Sequence, residues 1–379
     1  MILRILVLIG LICVPLAPAV SSATNTYAYE YTDQPTSGGR PVFATKADVM
    51  IDTIRKLVEA KDYAGAEKMA EEVTQKSPDM VDGWIMLGYT RSLNGEYEQS
   101  NDAYDKALEY GADAKDILLR KAYNCRKLDD PEKTRECFEE LLEIDSDVSV
   151  LMQFGAFEAS VGNYQEAARR YQTALEQDPA NVDAVEALSR VEKKLGNTVQ
   201  EKYWLEKGLS VQPDNPGFLK RLSLIYLNEQ NYDLSIHYLD KLLAISPDDA
   251  GARRNLGIAY YQKGEKDKAK DAFEKVRALG GKLDGLYGPL ADCYRSAGER
   301  AKALAVINEG IKAKDQEAWL YSIWGKLLED QKEYDAAIGK FSRAVELRDE
   351  PWSAYAKKQI ARQTQLKKRA ELIAQQNEG

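Results

Sequence analysis

The 379-residue chain has a single histidine, His237, and four cysteines, Cys13, Cys125, Cys137 and Cys293. So little imidazole excludes a histidine-rich metal centre, and there is no Cys-x-x-Cys pair to begin a thiolate one. Nor do the cysteines form a disulfide framework. One bridge, Cys125–Cys137, is conceivable because the two fall on neighbouring helices; the plainer expectation is small, buried, inert side chains. The phosphate-cradling patterns GxxxxGK[ST] and GxGxxG are missing, as are GxSxG and HExxH. A Cys–His catalytic pair would need His237, which falls on a helix beside Leu239 rather than in a cleft. The expectation is a non-enzyme, with no catalytic residues, no cofactor and no metal.

Proline is also scarce, at 12 residues, and 44% of the chain is hydrophobic, which excludes wholesale disorder. Basic residues are outnumbered, 52 against 61, for a net charge of −9. Nucleic-acid binding draws most of its affinity from a basic face, so this balance argues against it.

Long apolar runs are absent except at the start. Arg4 precedes the run Ile5–Val14, and a small-residue tract follows to Ala23. This is the layout of a secretory signal, with cleavage expected after Ala23. The run is short for a bilayer span, although an uncleaved anchor is the alternative. The expected location is the periplasm, with the mature chain soluble or peripheral to the membrane. Residues 24–46 are punctuated by Pro, Gly, Ser and Thr without a period and read as a flexible lead-in.

What the rest of the chain has is self-similarity. Units begin at 47, 81, 115, 148, 182, 216, 250, 284 and 318, in steps of 34 with one step of 33, from 115 to 148. The eighth position is small in eight of nine units, for example Gly88, Gly155, Gly257 and Gly325. The twentieth is small in all but the fifth, which has Glu201, and the twenty-fourth is large in all but the first. Apolar residues recur at helical spacing on both sides of a central turn: Leu219, Leu222 and Tyr226, then Ile236, Leu239 and Leu243. Small residues let the paired helices approach, and the large one fills the space beside them. One such pair cannot bury its apolar face, whereas a stack can. The third unit, with Lys121, Pro131 and the short step, is expected to be the least regular. Glu201 is expected to distort the fifth locally.

The segments Trp84-x-x-Leu87-Gly88 and Leu256-Gly257-x-x-Tyr260…Ala269-x-x-x-Phe273 resemble the signature of the tetratricopeptide repeat family. The resemblance covers residues 47–351. It implies an all-α, right-handed α-solenoid of nine helix-turn-helix units, closed by a capping helix in 352–379. That last segment is basic and reads as a solvated cap, or else as a contact for an acidic partner or anionic lipid.

The resemblance further implies a concave groove lined by the first helix of each unit, at positions two, five, nine, twelve and thirteen. These positions hold Ile85, Tyr89, Leu119, Tyr123, Arg126, Met152, Arg190, Lys194, Lys220, Leu224, Arg254, Ile258, Tyr261, Arg295 and Trp319. An acidic protein would thus carry a partly apolar, partly basic groove, suited to protein or peptide segments with acidic and apolar side chains. The family's carboxylate-gripping pair, Lys at five with Asn at nine, is not matched: Lys220 is paired with Leu224 and Arg254 with Ile258. The expected function is a protein–protein scaffold or adaptor of the bacterial cell envelope, serving a secretion, exopolysaccharide or pilus assembly. A chaperone or assembly factor for maturing clients and a self-assembling structural protein are the alternatives.

Overall fold

In the computed structural model, residues 46–315 and 317–378 are described. The signal-like segment 1–23 and the lead-in, apart from Lys46, lie outside them. Contacts divide the described chain into two units, 46–215 and 216–378.

In the first unit the helices are α1 (Lys46–Glu59), α2 (Tyr63–Lys76), α3 (Val81–Asn94), α4 (Tyr97–Glu109), α5 (Ala114–Lys127), α6 (Pro131–Ile144), α7 (Val148–Ser160), α8 (Tyr164–Gln177), α9 (Val182–Leu195) and α10 (Thr198–Val211). The second holds α11 (Pro216–Asn228), α12 (Tyr232–Ile245), α13 (Ala250–Lys263), α14 (Lys266–Ala278), α15 (Tyr287–Ser296), α16 (Arg300–Lys312), α17 (Glu317–Glu329), α18 (Tyr334–Glu346) and α19 (Trp352–Glu378). The fold is an all-α solenoid of paired helices.

Local chemistry sets the helix ends. Asp113, Asp147, Asn181 and Asp249 each precede a first helix and accept a backbone N–H from its first turn. Each such cap stabilises its helix by about 1 kcal/mol. Gly95 and Gly264 close α3 and α13 in the left-handed conformation, which only glycine adopts freely.

Pairing follows the small–large rule. A Cβ added to Gly155 or Gly325 would come within 2.7 Å of the ring of Tyr171 or Phe341, and one added to Gly257 within 2.5 Å of Phe273. These rings are buried, as are Ala167, Ala269 and Ala337 at the twentieth position. Where serine replaces alanine there, its hydroxyl donates across the pair: Ser100 Oγ to the Gly88 carbonyl at 2.6 Å and Ser235 Oγ to the Ser223 carbonyl at 2.9 Å.

Two local expectations are corrected. The third repeat is regular: α5 and α6 have 14 residues each. Pro131 is the first residue of α6, where a missing N–H costs nothing, and Asp130 caps the helix. Lys121 Nζ meets Asp105 at 2.5 Å. The least regular repeat is the eighth, whose first helix, α15, has only 10 residues and starts after a glycine-rich turn. Gly280 and Gly285 both have positive φ in that turn. Glu201 does not break its helix either. It is buried, and α10 runs unbroken for 14 residues.

The last helix, α19, packs on α18 and α17. Its N-terminal half is docked, with Ser353, Ala356 and Gln363 buried, while Leu372 and Ile373 are exposed.

Candidate functional site

Within each unit, first helices of successive repeats touch one another: α1 with α3 and α7 with α9 in one, α11 with α13, α15 with α17 and α17 with α19 in the other. Packing between successive second helices is at most marginal among the described residues. Elements that crowd on one side of a stack and separate on the other give the crowded side the continuous face. In both units the crowded side is that of the first helices, joined where α1 meets α3, α7 meets α9, α11 meets α13, α15 meets α17 and α17 meets α19.

On 46–215 the expected residues divide between packing and exposure. Ile85 is half-buried against Tyr104, Ala107 and Ile117. Tyr89 is half-buried, with the Arg120 guanidinium 5.6 Å from its ring centre. Leu119 is buried in the cluster around Phe138 and Phe154, and Met152 is half-buried. Tyr123 stands 44% exposed with Lys127 5.4 Å from its ring. Arg126, Lys193 and Lys194 are exposed and make no ion pair among the described residues. They sit in the last turns of α5 and α9, where cations complement the helix dipole. Arg190 is exposed and pairs with Glu186 at 2.8 Å.

On 216–378 the face is more tightly joined. Tyr261, Arg295 and Trp319 come together, whereas Lys220, Leu224 and Arg254 do not join them. Trp319 is buried, 6.3 Å from Tyr261 and stacked on Trp352 at 4.7 Å. At the centre lies Asp292, 6% exposed. It accepts from Lys266 Nζ at 2.5 Å, the Tyr261 hydroxyl at 3.1 Å and Arg295 Nε at 3.2 Å. Arg295 also reaches Asp330 at 3.1 Å. Burial alone would raise the Asp292 carboxyl, but the cations of Lys266, Arg295 and Lys326 hold it below the usual carboxylate range. Burial lowers the Lys326 ammonium, which stands 5.1 Å from the Tyr355 ring centre.

Of the remaining positions, Lys220 is exposed and 3.8 Å from Asp249, and Leu224 is exposed. Arg254 donates to the Asp284 carbonyl at 2.7 Å, and Ile258 packs on the core around Phe273 and Leu290. Sequence reasoning missed Asp292 as the centre of this arrangement. It occupies position nine of its unit, a face position, where a lone carboxylate carries no repeat signal. Trp352 was placed in the cap and not on the face.

Among the described residues no group of three or more His, Cys, Asp or Glu could hold a metal, and no helix is long and apolar enough to cross a membrane. His237 is exposed on α12, with its ring edge-on to Tyr238.

Stacked helix pairs in each unit define a helical-repeat protein. Three family models, each described as tetratricopeptide repeat, match residues 116–148, 158–216 and 226–283. These stretches of the chain are tetratricopeptide repeats and support a protein-interaction scaffold; proteins with such repeats are generally non-catalytic. Among solved structures the chain is similar to a tetratricopeptide repeat protein from Parabacteroides merdae ATCC 43184, at 22% identity and a TM-score of 0.41, covering 66% of this chain and 99% of that one. It is also similar to the MamA protein, at 19% identity and a TM-score of 0.40, covering 44% and 91%. For pilF of Pseudomonas aeruginosa the identity is 23% and the TM-score 0.37, covering 54% and 93%. No curated protein matches the chain.

Proposed function

We propose that this chain is a non-catalytic adaptor of the bacterial cell envelope, exported by its N-terminal segment, which holds acidic and apolar segments of partner proteins against its first-helix face. The observation that carries the reading is the 46–215 face. Tyr123 is exposed there, and Arg126, Lys193 and Lys194 have no carboxylate partner of their own among the described residues. Open ammonium and guanidinium groups on a face that also exposes a ring are suited to a partner carboxylate flanked by an apolar group. The apolar run before Ala23 supports export. A secretion, exopolysaccharide or pilus assembly is the kind of machine such an adaptor serves.

The test is capture of the tagged full chain from its own cells after brief crosslinking, with mass spectrometry of what comes down. One recurrent set of envelope proteins is expected, and a Tyr89→Ala/Tyr123→Ala chain that keeps its helical circular dichroism should recover about tenfold less of it. A diffuse spread of unrelated exported proteins would replace the adaptor with a chaperone. Cytoplasmic partners alone would remove the envelope reading.

A further inference from the structure

We propose that Cys125 and Cys137 form an intramolecular disulfide that joins the two helices of the third repeat, closing by exchange with a small disulfide such as that of glutathione. The pair lies on α5 and α6, which pack directly on each other. Both residues are buried, at 2% and 7% exposure. The two thiols are close enough that each shifts the titration of the other. A donor, Asn101 Nδ2, reaches the Cys125 sulfur at 3.6 Å. Lys121, one turn earlier on α5, adds a positive field. Inert cysteines used as small apolar fillers need none of these partners.

The surroundings give the two sulfurs different roles. The neighbouring Cys137 thiol lowers the Cys125 thiol against the opposing effect of burial, and Asn101 and Lys121 act in the same direction. The neighbouring Cys125 and burial together push the Cys137 thiol up. Because the Asn101 amide donates to its sulfur, Cys125 is the attacking thiolate and Cys137 the resolving thiol. In the first step the Cys125 sulfur forms a bond to one sulfur of glutathione disulfide, whose S–S bond breaks and releases one glutathione thiolate. In the second, Cys137 gives its proton to solvent and attacks the Cys125 sulfur, expelling the second glutathione as thiolate. The two cysteines are oxidised by two electrons, one glutathione disulfide is reduced to two thiols, and the two cysteine protons end on them. Because both sulfurs are buried, exchange proceeds from local opening of the repeat. Cys293 is buried in the 216–378 unit, in the cluster around Phe273 and Leu290, and takes no part. None of this rests on the adaptor reading.

The experiment uses the full chain, reduced and then incubated with glutathione disulfide under native conditions and in sub-denaturing urea. Free thiols are trapped with N-ethylmaleimide, and the tryptic peptides are weighed. The expected product is a monomer in which the Cys125 and Cys137 peptides are linked and two hydrogens lighter than their sum, formed faster in urea. Cys137→Ser should instead accumulate a stable glutathione adduct on Cys125, and Cys125→Ser should leave Cys137 unmodified. Maleimide on both peptides in every condition, separate glutathione adducts without a link, or a bridge to Cys293 would each overturn the proposal.

Discussion

Each unit buries a polar hub on its first helices, and the two hubs are made of different material. In 46–215 the hub on α5 is neutral, and the buried carboxylate of that unit, Glu158 on α7, is a separate pair held by Arg135 at 2.7 Å. Asn124, fully buried, donates to Ser100 Oγ and Asn101 Oδ1, each at 2.8 Å, and accepts from Ser92 Oγ at 2.7 Å. In 216–378 the hub is a carboxylate, Asp292, held by an ammonium, a guanidinium and a phenol. The faces differ accordingly. Around Asn124 the face keeps its charge open, with Arg126 and Tyr123 exposed. Around Asp292 the cations and rings turn toward one another. A cation satisfied from within has little left to offer a partner, and an open one has paid little desolvation in advance. On the proposed reading the first face suits encounter and the second rigidity.

The largest expected effect comes from removing the charged hub. Asp292→Asn leaves Lys266, Arg295 and Lys326 crowded without their carboxylate. Breaking a buried pair on one side costs about 3–5 kcal/mol, and the water access of Lys266 and Arg295 puts this case near 3. Hydrogen exchange should show α13, α15 and α17 losing protection while α3 and α5 keep theirs. A loss under about 1 kcal/mol would mean that the hub is ornamental to stability.

Acid should draw the same distinction. The folded Asp292 carboxyl lies below its unfolded value of about 3.9. Its contribution is therefore complete above that value and is lost as pH falls through the folded one. Protection in α13–α17 should fade below about pH 4 in the native chain, and Asp292→Asn should abolish that component. In the other unit Asp147 is also lowered, first by Lys115 and then by the Val150 N–H. With 42% of its side chain exposed, that pairing is screened by solvent and should contribute less. Equal acid loss in both units would erase the comparison.

Asn124→Ala is the next step down. It strands the Ser92 hydroxyl and Asn101, although Ser100 keeps its bond to Gly88. The expected cost is about 2 kcal/mol, unchanged between about pH 5 and pH 4, because the amides and hydroxyls of this hub do not titrate and the Cys125 thiol that Asn101 also touches stays protonated there. Urea midpoints of α5 exchange at two pH values would measure it, and a marked pH dependence would contradict the neutral hub.

Much of this architecture was legible in the sequence, because each repeat states its own rule. Gly155 against Tyr171 and Gly257 against Phe273 are contacts sixteen residues apart, and the period repeats them until chance is excluded. The capping Asp and Asn before first helices carry the same period. What was not legible depends on partners that have no fixed spacing. Asp292 is addressed by Lys266 and Tyr261, more than twenty residues earlier, and Trp319 by Trp352, thirty-three later. The displaced start of α15 had a signal in Gly280, Gly281 and Gly285, but Pro131 and the short step drew attention to the third repeat instead. Proline there opens a helix, and a missing residue in a turn leaves the packing rule intact.

The smallest effect on stability should accompany a clear effect on binding. Lys193 and Lys194 are exposed at the end of α9 and make no ion pair among the described residues. Reversing both to Glu forfeits a modest interaction with the helix dipole, so stability should move by about 0.5 kcal/mol each. Recovery of crosslinked partners should fall, and fall more at low salt than at high, because an exposed cation acts through a screened field. If the same reversal left recovery untouched while Asp292→Asn reduced it, the closed face would be the one partners use, and the roles of the two units would be exchanged.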